Sequence, residues 1–256
     1  MAQKKISVVS YTNSKPFLLG LEKYKNDLDI NISLDNPAEC AMKLRSASAS
    51  IGLVPVYAMK DIPNAAIISD YGIAAKGSVS SVLLVSDVPL ESIRQIYLDY
   101  QSRTSVALLK ILACEFWNIN VKYLDAMIGF EDRVRSNTAA LIIGDRALEY
   151  RKKYKFTYDL SQEWYNYTSL PFVFARWVSI SAFTEDFEKQ FNAALKYGVE
   201  NRMDILNEQR KLSLFNKDLI TDYINNKIKY YIDDEMRSGM ELFLQKSENL
   251  SAVPQD

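Results

Sequence analysis

The chain contains no histidine. That removes the imidazole base, and with it the Ser–His–Asp and Cys–His arrangements of nucleophilic catalysis. Cysteine is scarce: Cys40 and Cys114 stand far apart, with no CxxC pair, so the usual zinc sites are missing too. Both fall in helix-like patterns and are expected to be buried free thiols. Glycine is rare, 8 of 256 residues, and neither common phosphate-binding glycine loop is present. No apolar run approaches the roughly 18 residues needed to span a bilayer. The apolar stretch after Lys4 and Lys5 is only about four residues, too short for a secretory signal. A cytoplasmic protein without membrane contact is expected. A net charge of -1 gives no basic excess, which argues against nucleic acid as a partner. Acid–base work falls to carboxylates, lysine, tyrosine, hydroxyls, amides or the substrate itself.

What is present is ordinary globular material, 48% hydrophobic and 25% charged. It suffices for one large domain or two lobes of about 100–150 residues. Ile6 to Val9 reads as a short buried strand. Ser14 can cap the next helix, with Pro16 at its first position. Ile30, Ile32 and Leu34 alternate with polar residues, as a strand requires. Asn36, Pro37 and Glu39 form a helix start of the capping-box kind. Ile51 to Val56 is a third strand. This β-α-β-α-β opening predicts a parallel sheet with crossover helices. A strand-rich stretch follows from Ala65 to Ser86, then alternation resumes with a short helix after Pro89. Pro171 to Ile180 reads as one long strand, and everything beyond it as helix. The layout predicts an α/β protein of two lobes, residues 1–87 with 175–256 and residues 88–174. Two chain crossings would make a hinge over a ligand cleft.

Two strand-to-helix turns carry groups suited to an anion. In "YTNSKP" these are Asn13 and Lys15; in "YQSRTSV" they are Arg103, Thr104 and Ser105. Backbone N–H groups at a helix start point outward, and the helix dipole favours negative charge. A lysine or arginine there adds charge-assisted bonds to a carboxylate or phosphate. The plainer account is that Ser, Thr and Asn cap helices well. Ser80 and Ser81 precede a buried run and either line the cleft or merely start a strand. Asp145, after Gly144, can cap a helix, bind a ligand hydroxyl or act as a base. The aromatics between Tyr154 and Tyr167 are expected in core and surface, since stacking on nucleic acid needs a basic patch.

Six strings in order resemble the chorismate dehydratase family of the futalosine route to menaquinone. They are "SYTNSKPF", "IGLVPV", "GSVSSVLLVS", "LDYQSRTSVALLKILACEFW", "ALIIGDRAL" and "YDLSQEWYNYTSLPFVFARWV". The resemblance implies a type-2 periplasmic-binding-protein-like fold with the ligand cleft between lobes. It also implies a metal-independent hydro-lyase, needing no cofactor, that converts chorismate to 3-[(1-carboxyvinyl)oxy]benzoate and water. It places catalytic roles on Asn13 and Ser81. Substrate binding falls to Ser80, Thr104 and Ser105, with Arg103, Lys15 and Asp145 beside them. The sister 1,4-dihydroxy-6-naphthoate synthase is thought to use a histidine base, which this chain lacks. A solute-binding protein for a small carboxylate would share the fold, but no export signal is seen. A regulator's effector domain would need a helix-turn-helix or basic flank, and neither is present.

Overall fold

The computed structural model describes residues 3–206 and 217–250. Two compact units emerge, residues 1–74 with 173–233 and residues 75–172 with 234–256.

The first unit opens with strand β1 (Lys4–Val9) and helix α1 (Lys15–Lys23), then a short helix α2 (Lys25–Leu28) and strand β2 (Ile30–Asp35). Helix α3 (Pro37–Arg45) and strand β3 (Ile51–Pro55) complete the expected opening. Strands β2 and β3 both pair parallel to β1, so three carboxyl ends leave the sheet together. All five residues of β3 are buried. The capping box forms as predicted: Asn36 Oδ1 accepts from the Glu39 amide at 2.9 Å, and Glu39 Oε2 accepts from the Asn36 amide at 3.0 Å. Asp35 at the end of β2 takes bonds from Lys43, Ser33 and Ser7. Burial pushes its carboxyl up, but those bonds outweigh it and hold Asp35 below the ordinary range.

Strand β4 (Ala66–Ala75) follows as one ten-residue strand. The second unit then contains β5 (Val82–Ser86), β6 (Gln95–Leu98), helix α4 (Arg103–Ile111), β7 (Lys122–Asp125), β8 (Thr138–Ile143) and helix α5 (Asp145–Tyr150). Next come β9 (Phe156–Asp159) and helix α6 (Leu160–Thr168). Its five-stranded sheet runs β7-β6-β8-β5-β9. Strand β10 (Phe172–Ser179) returns the chain to the first sheet and pairs antiparallel with β3. Helix α7 (Glu185–Glu200), helix α8 (Lys217–Asp222) and strand β11 (Lys229–Tyr231) follow, and α9 (Asp234–Asn249) ends the described chain. The first sheet runs β11-β4-β10-β3-β1-β2.

Several expectations need correction. Residues 75–87 do not belong with the first unit, because β5 pairs antiparallel with both β8 and β9 inside the second sheet. Residues 234–249 also belong to the second unit. There Phe243 of α9 packs on Phe172 and Trp164 with ring centres 4.9 and 6.2 Å apart. Lys246 binds Glu115 and Tyr167. The chain therefore changes unit three times, not two. The helix predicted after Pro89 shrinks to one 3-10 turn, Leu90–Ser92. Strand β11 interrupts the stretch read as all helix, and β9 with α6 accounts for the aromatic stretch. Cys40 is buried, and burial pushes its thiol up to about 12, whereas Cys114 is exposed.

Within the first unit, Phe17 of α1 sits edge-on to Trp177 (5.7 Å) and Tyr230 (5.3 Å). Helices α1 and α7 meet at two glycines. A Cβ on Gly20 would lie 1.9 Å from the Ala194 carbonyl oxygen, and one on Gly198 would lie 1.9 Å from that of Pro16. Both obstacles are backbone, so neither can move aside as a side-chain tip could. Gly198→Ala should therefore lower unfolding stability by about 3 kcal/mol, measured by urea titration. A midpoint equal to wild type would show that the helices do not approach this closely.

Candidate active site

In the first unit the site begins where β1 ends. The Ser10 amide donates to the Asp35 carbonyl at 2.9 Å, which joins the ends of β1 and β2. A 3-10 turn, Thr12–Ser14, then leads into α1. Asn13 is half-buried on this turn. Its Nδ2 donates to the Tyr223 hydroxyl at 3.2 Å, and its Oδ1 accepts from the Ser14 hydroxyl at 3.1 Å. Ser14 stands at the N-cap position but makes no side-chain cap bond. Its hydroxyl orients Asn13 instead. Pro16 is the second helical residue, not the first, and Lys15 takes the first place. The amide of Asn13 is thus fixed from both ends and keeps one N–H and one lone pair for a further partner.

The second unit gathers the remaining sequence-identified residues along one sheet edge. Strand β6 runs parallel to β7 and β8, so their carboxyl ends coincide. Strand β5 is antiparallel to β8, with Val82 opposite Ile143, so its start lies at the same edge. Strand β9 is antiparallel to β5, so Asp159 ends there as well. This register brings Ser80, Ser81, Arg103, Thr104, Ser105 and Asp145 to one edge. Asn13 and Lys15 belong to the other unit.

Each turn at this edge is held by a specific contact. Gly144 donates its amide to the Ser81 carbonyl at 2.8 Å, which stitches the start of β5 to the end of β8. Gly144 is also the N-cap of α5, with φ 64° and ψ -145°, a conformation that a side chain would oppose. Asp145 is therefore the first helical residue and not the cap. Ser80 lies in the left-handed region at φ 65°, which costs a non-glycine residue about 1 kcal/mol. The Asp159 carboxylate holds it there. Oδ2 accepts from the Ser78 hydroxyl and from the amides of Val79 and Ser80 at 2.6–2.9 Å. Oδ1 accepts from the amides of Ser161 and Gln162 and caps α6. At the start of α4, Ser102 is the cap. Its Oγ accepts from the Ser105 amide at 3.3 Å and lies 3.2 Å from the Ser105 hydroxyl. Thr104 and Ser105 are buried in the first turn, while Arg103 is exposed.

Sequence reasoning missed two anchors. Asp159 carries a readable signal, since an Asp with Gln three residues on opens helices. The other is an ionic cluster around Arg146. Its guanidinium donates to the carboxylates of Asp99 and Glu131, and to Gln101 Oε1 at 3.2 Å. It also lies over the rings of Tyr100 (5.4 Å) and Phe130 (5.6 Å). Asp99 and Glu131 are buried. These partners lie 47 and 15 residues from Arg146, and no local spacing rule joins them. Among the described residues, no group of three or more Cys, Asp or Glu side chains could hold a metal ion. None of their helices is long and apolar enough to cross a membrane.

Burial pushes the Asp99 carboxyl up to about 6, against the downward pull of Arg146 and the Gln101 amide. The stability this group contributes is full below its unfolded value of 3.8 and is lost as pH rises through about 6. Wild type should lose roughly 2–3 kcal/mol relative to Asp99→Asn between about pH 4 and about pH 7. Urea titration of both proteins at each pH measures the gap; a gap that ignores pH would place Asp99 at its ordinary value.

The family profile described as Menaquinone biosynthesis matches residues 4–249. A chorismate dehydratase from Thermus thermophilus is 25% identical over 260 residues, covering 90% of this chain and 95% of that protein. A crystal structure of an Archaeoglobus fulgidus protein superposes with a TM-score of 0.77 at 12% identity, over 98% of this chain and 99% of the other. The alkanesulfonate-binding protein of Xanthomonas axonopodis pv. citri gives 0.69 at 10% identity, over 100% and 95%. A Candida albicans protein described as having the generic periplasmic binding protein fold gives 0.62 at 11% identity, over 100% and 92%. At such identities these structures speak for the fold alone, which is that of the periplasmic binding proteins. The profile match spans nearly the whole sequence, and the chain belongs to the menaquinone-biosynthesis family.

Proposed function

We propose that this protein is a chorismate dehydratase that forms 3-[(1-carboxyvinyl)oxy]benzoate. The observation that carries the reading is the likeness to the Thermus thermophilus chorismate dehydratase along 90% of the chain. The site chemistry supports it. Losing the C3 proton and the C4 hydroxyl as water leaves an aromatic ring, so the overall step runs downhill. The task is then to hold a flexible dianion in one reactive geometry and to stabilise charge on the departing oxygen. An active site without imidazole suits that task if the substrate supplies its own base.

In this reading the enolpyruvyl carboxylate takes the C3 proton. The C–H electron pair becomes the new ring double bond, and the C4–O bond breaks. The hydroxide leaving C4 takes that proton back from the enolpyruvyl carboxyl and departs as water, which restores the carboxylate. Asn13, fixed by Tyr223 and Ser14, offers its remaining N–H to the enolpyruvyl carboxylate or the leaving hydroxyl. Ser81 is assigned a further hydrogen bond to the substrate. Thr104, Ser105 and the positive end of the α4 dipole hold the other carboxylate. Ser80, Lys15, Arg103 and Asp145 are assigned supporting contacts. No metal or cofactor takes part.

Incubating the protein with chorismate and a chelator should give a product lighter by one water in mass spectrometry. Chorismate bound but returned intact would leave a carboxylate-binding protein and sink the enzyme reading. Asn13→Ala should lower kcat about 100-fold. Its stability cost should stay near 1 kcal/mol, because only two side-chain hydrogen bonds are lost. A variant that unfolds instead would make Asn13 a structural residue.

A further inference from the structure

We propose that Arg146 is a positioning residue: it ties three turns at the edge of the second sheet into one rigid platform for the substrate carboxylate. The inference rests on the dehydratase reading for its ligand, but its geometry stands within the second unit alone.

The first turn runs from the end of β6 to α4. Arg146 grips it on both sides of Tyr100, at the Asp99 carboxylate and at Gln101 Oε1. Asp99 braces the same turn from within, because its Oδ1 accepts the Gln101 amide at 2.8 Å. Ser102, the cap that orients the first turn of α4, follows directly. Arg146 thus acts on Thr104 and Ser105 through the residues that lead into their helix. The second turn follows β7. Its tip has little packing to fix it: Met127 is 70% exposed, Ile128 is 86% exposed, and no atom comes within 4 Å of a Cβ placed on Gly129. Its anchors come immediately after. Phe130 is buried against the guanidinium, Glu131 pairs with Arg146, and the Glu131 carbonyl accepts from the Tyr154 hydroxyl. The third is the first turn of α5, which bears Arg146 itself beside Asp145, two residues beyond Gly144, whose amide binds the Ser81 carbonyl.

A planar guanidinium carries its donors on separate nitrogens, so it reaches acceptors on separate turns at once. An ammonium at this position is a single point and cannot span them. Arg146→Lys therefore keeps the charge and removes the bridging. Without any cation here, Asp99 and Glu131 would be two buried like charges, so Arg146→Ala is a poor test on its own.

The test compares wild type with Arg146→Lys by thermal melting, hydrogen–deuterium exchange and chorismate turnover. The expected result is a lowered but still cooperative melt, with faster amide exchange concentrated in residues 99–105 and 126–131. KM for chorismate should rise about tenfold or more, with a smaller change in kcat, as misplaced binding groups produce. If Arg146→Lys fails to fold, the double variant Arg146→Gln with Asp99→Asn, which removes one charge of each sign, takes its place under the same readouts. Unchanged exchange in both segments, or an unchanged KM, overturns the proposal. If wild type itself leaves chorismate intact, the function reading falls. The exchange measurement then decides the role of Arg146 without it.

Discussion

The carboxylate of Asp159 takes hydrogen bonds from two segments about eighty residues apart, the turn before β5 and the first turn of α6. It exemplifies the constraint that shapes this protein. Where strands end at a sheet edge, backbone N–H groups lose their ladder partners, and those left buried must find others. This chain answers with acids. Asp35, at the end of β2, collects side-chain donors instead, from Ser7, Ser33 and Lys43. Asp99 holds the turn after β6, and Asp159 the turn before β5. Because these carboxylates take up backbone and lysine or arginine donors, the hydroxyls and amide identified from the sequence can be presented from ordered turns. The proposed dehydration, without imidazole, would draw on such pre-set geometry through orientation and fixed dipoles.

That division of labour also explains what the sequence made legible. Patterns with a local physical cause could be read: the alternation of Ile30, Ile32 and Leu34, the Asn36–Glu39 box, and the hydroxyl-rich start of α4. Long-range features could not. The unit to which β5 belongs is decided by its pairing with β8 and β9, which lie some sixty to seventy residues on. Helix α9 joins the second unit because Phe243 meets Phe172 and Trp164, and its own amphipathic pattern carries no record of which surface it covers.

The candidate site is legible in the same uneven way. The hydroxyls at the start of α4 stand out as a group in the sequence, but only geometry selects Ser102 as the cap. Asp145 looked like a cap because it follows a strand, yet Gly144 takes that place through a backbone angle that spacing does not reveal. Ser14 stands where a cap belongs but spends its hydroxyl on Asn13. Arg146 has no local signal, because a lone arginine after an aspartate has no meaning until Asp99 and Glu131 arrive from two distant turns.

The two cysteines have a practical consequence. Cys40 is enclosed, and its thiol is held in the unreactive protonated form, whereas Cys114 is exposed. A thiol-reactive fluorophore added to the unmodified protein would therefore settle on one atom. That atom sits in the π-helical extension of α4, the helix whose opposite end presents Thr104 and Ser105. The protein carries its own attachment point for an optical reporter, at the far end of a helix from the groups assigned to the substrate.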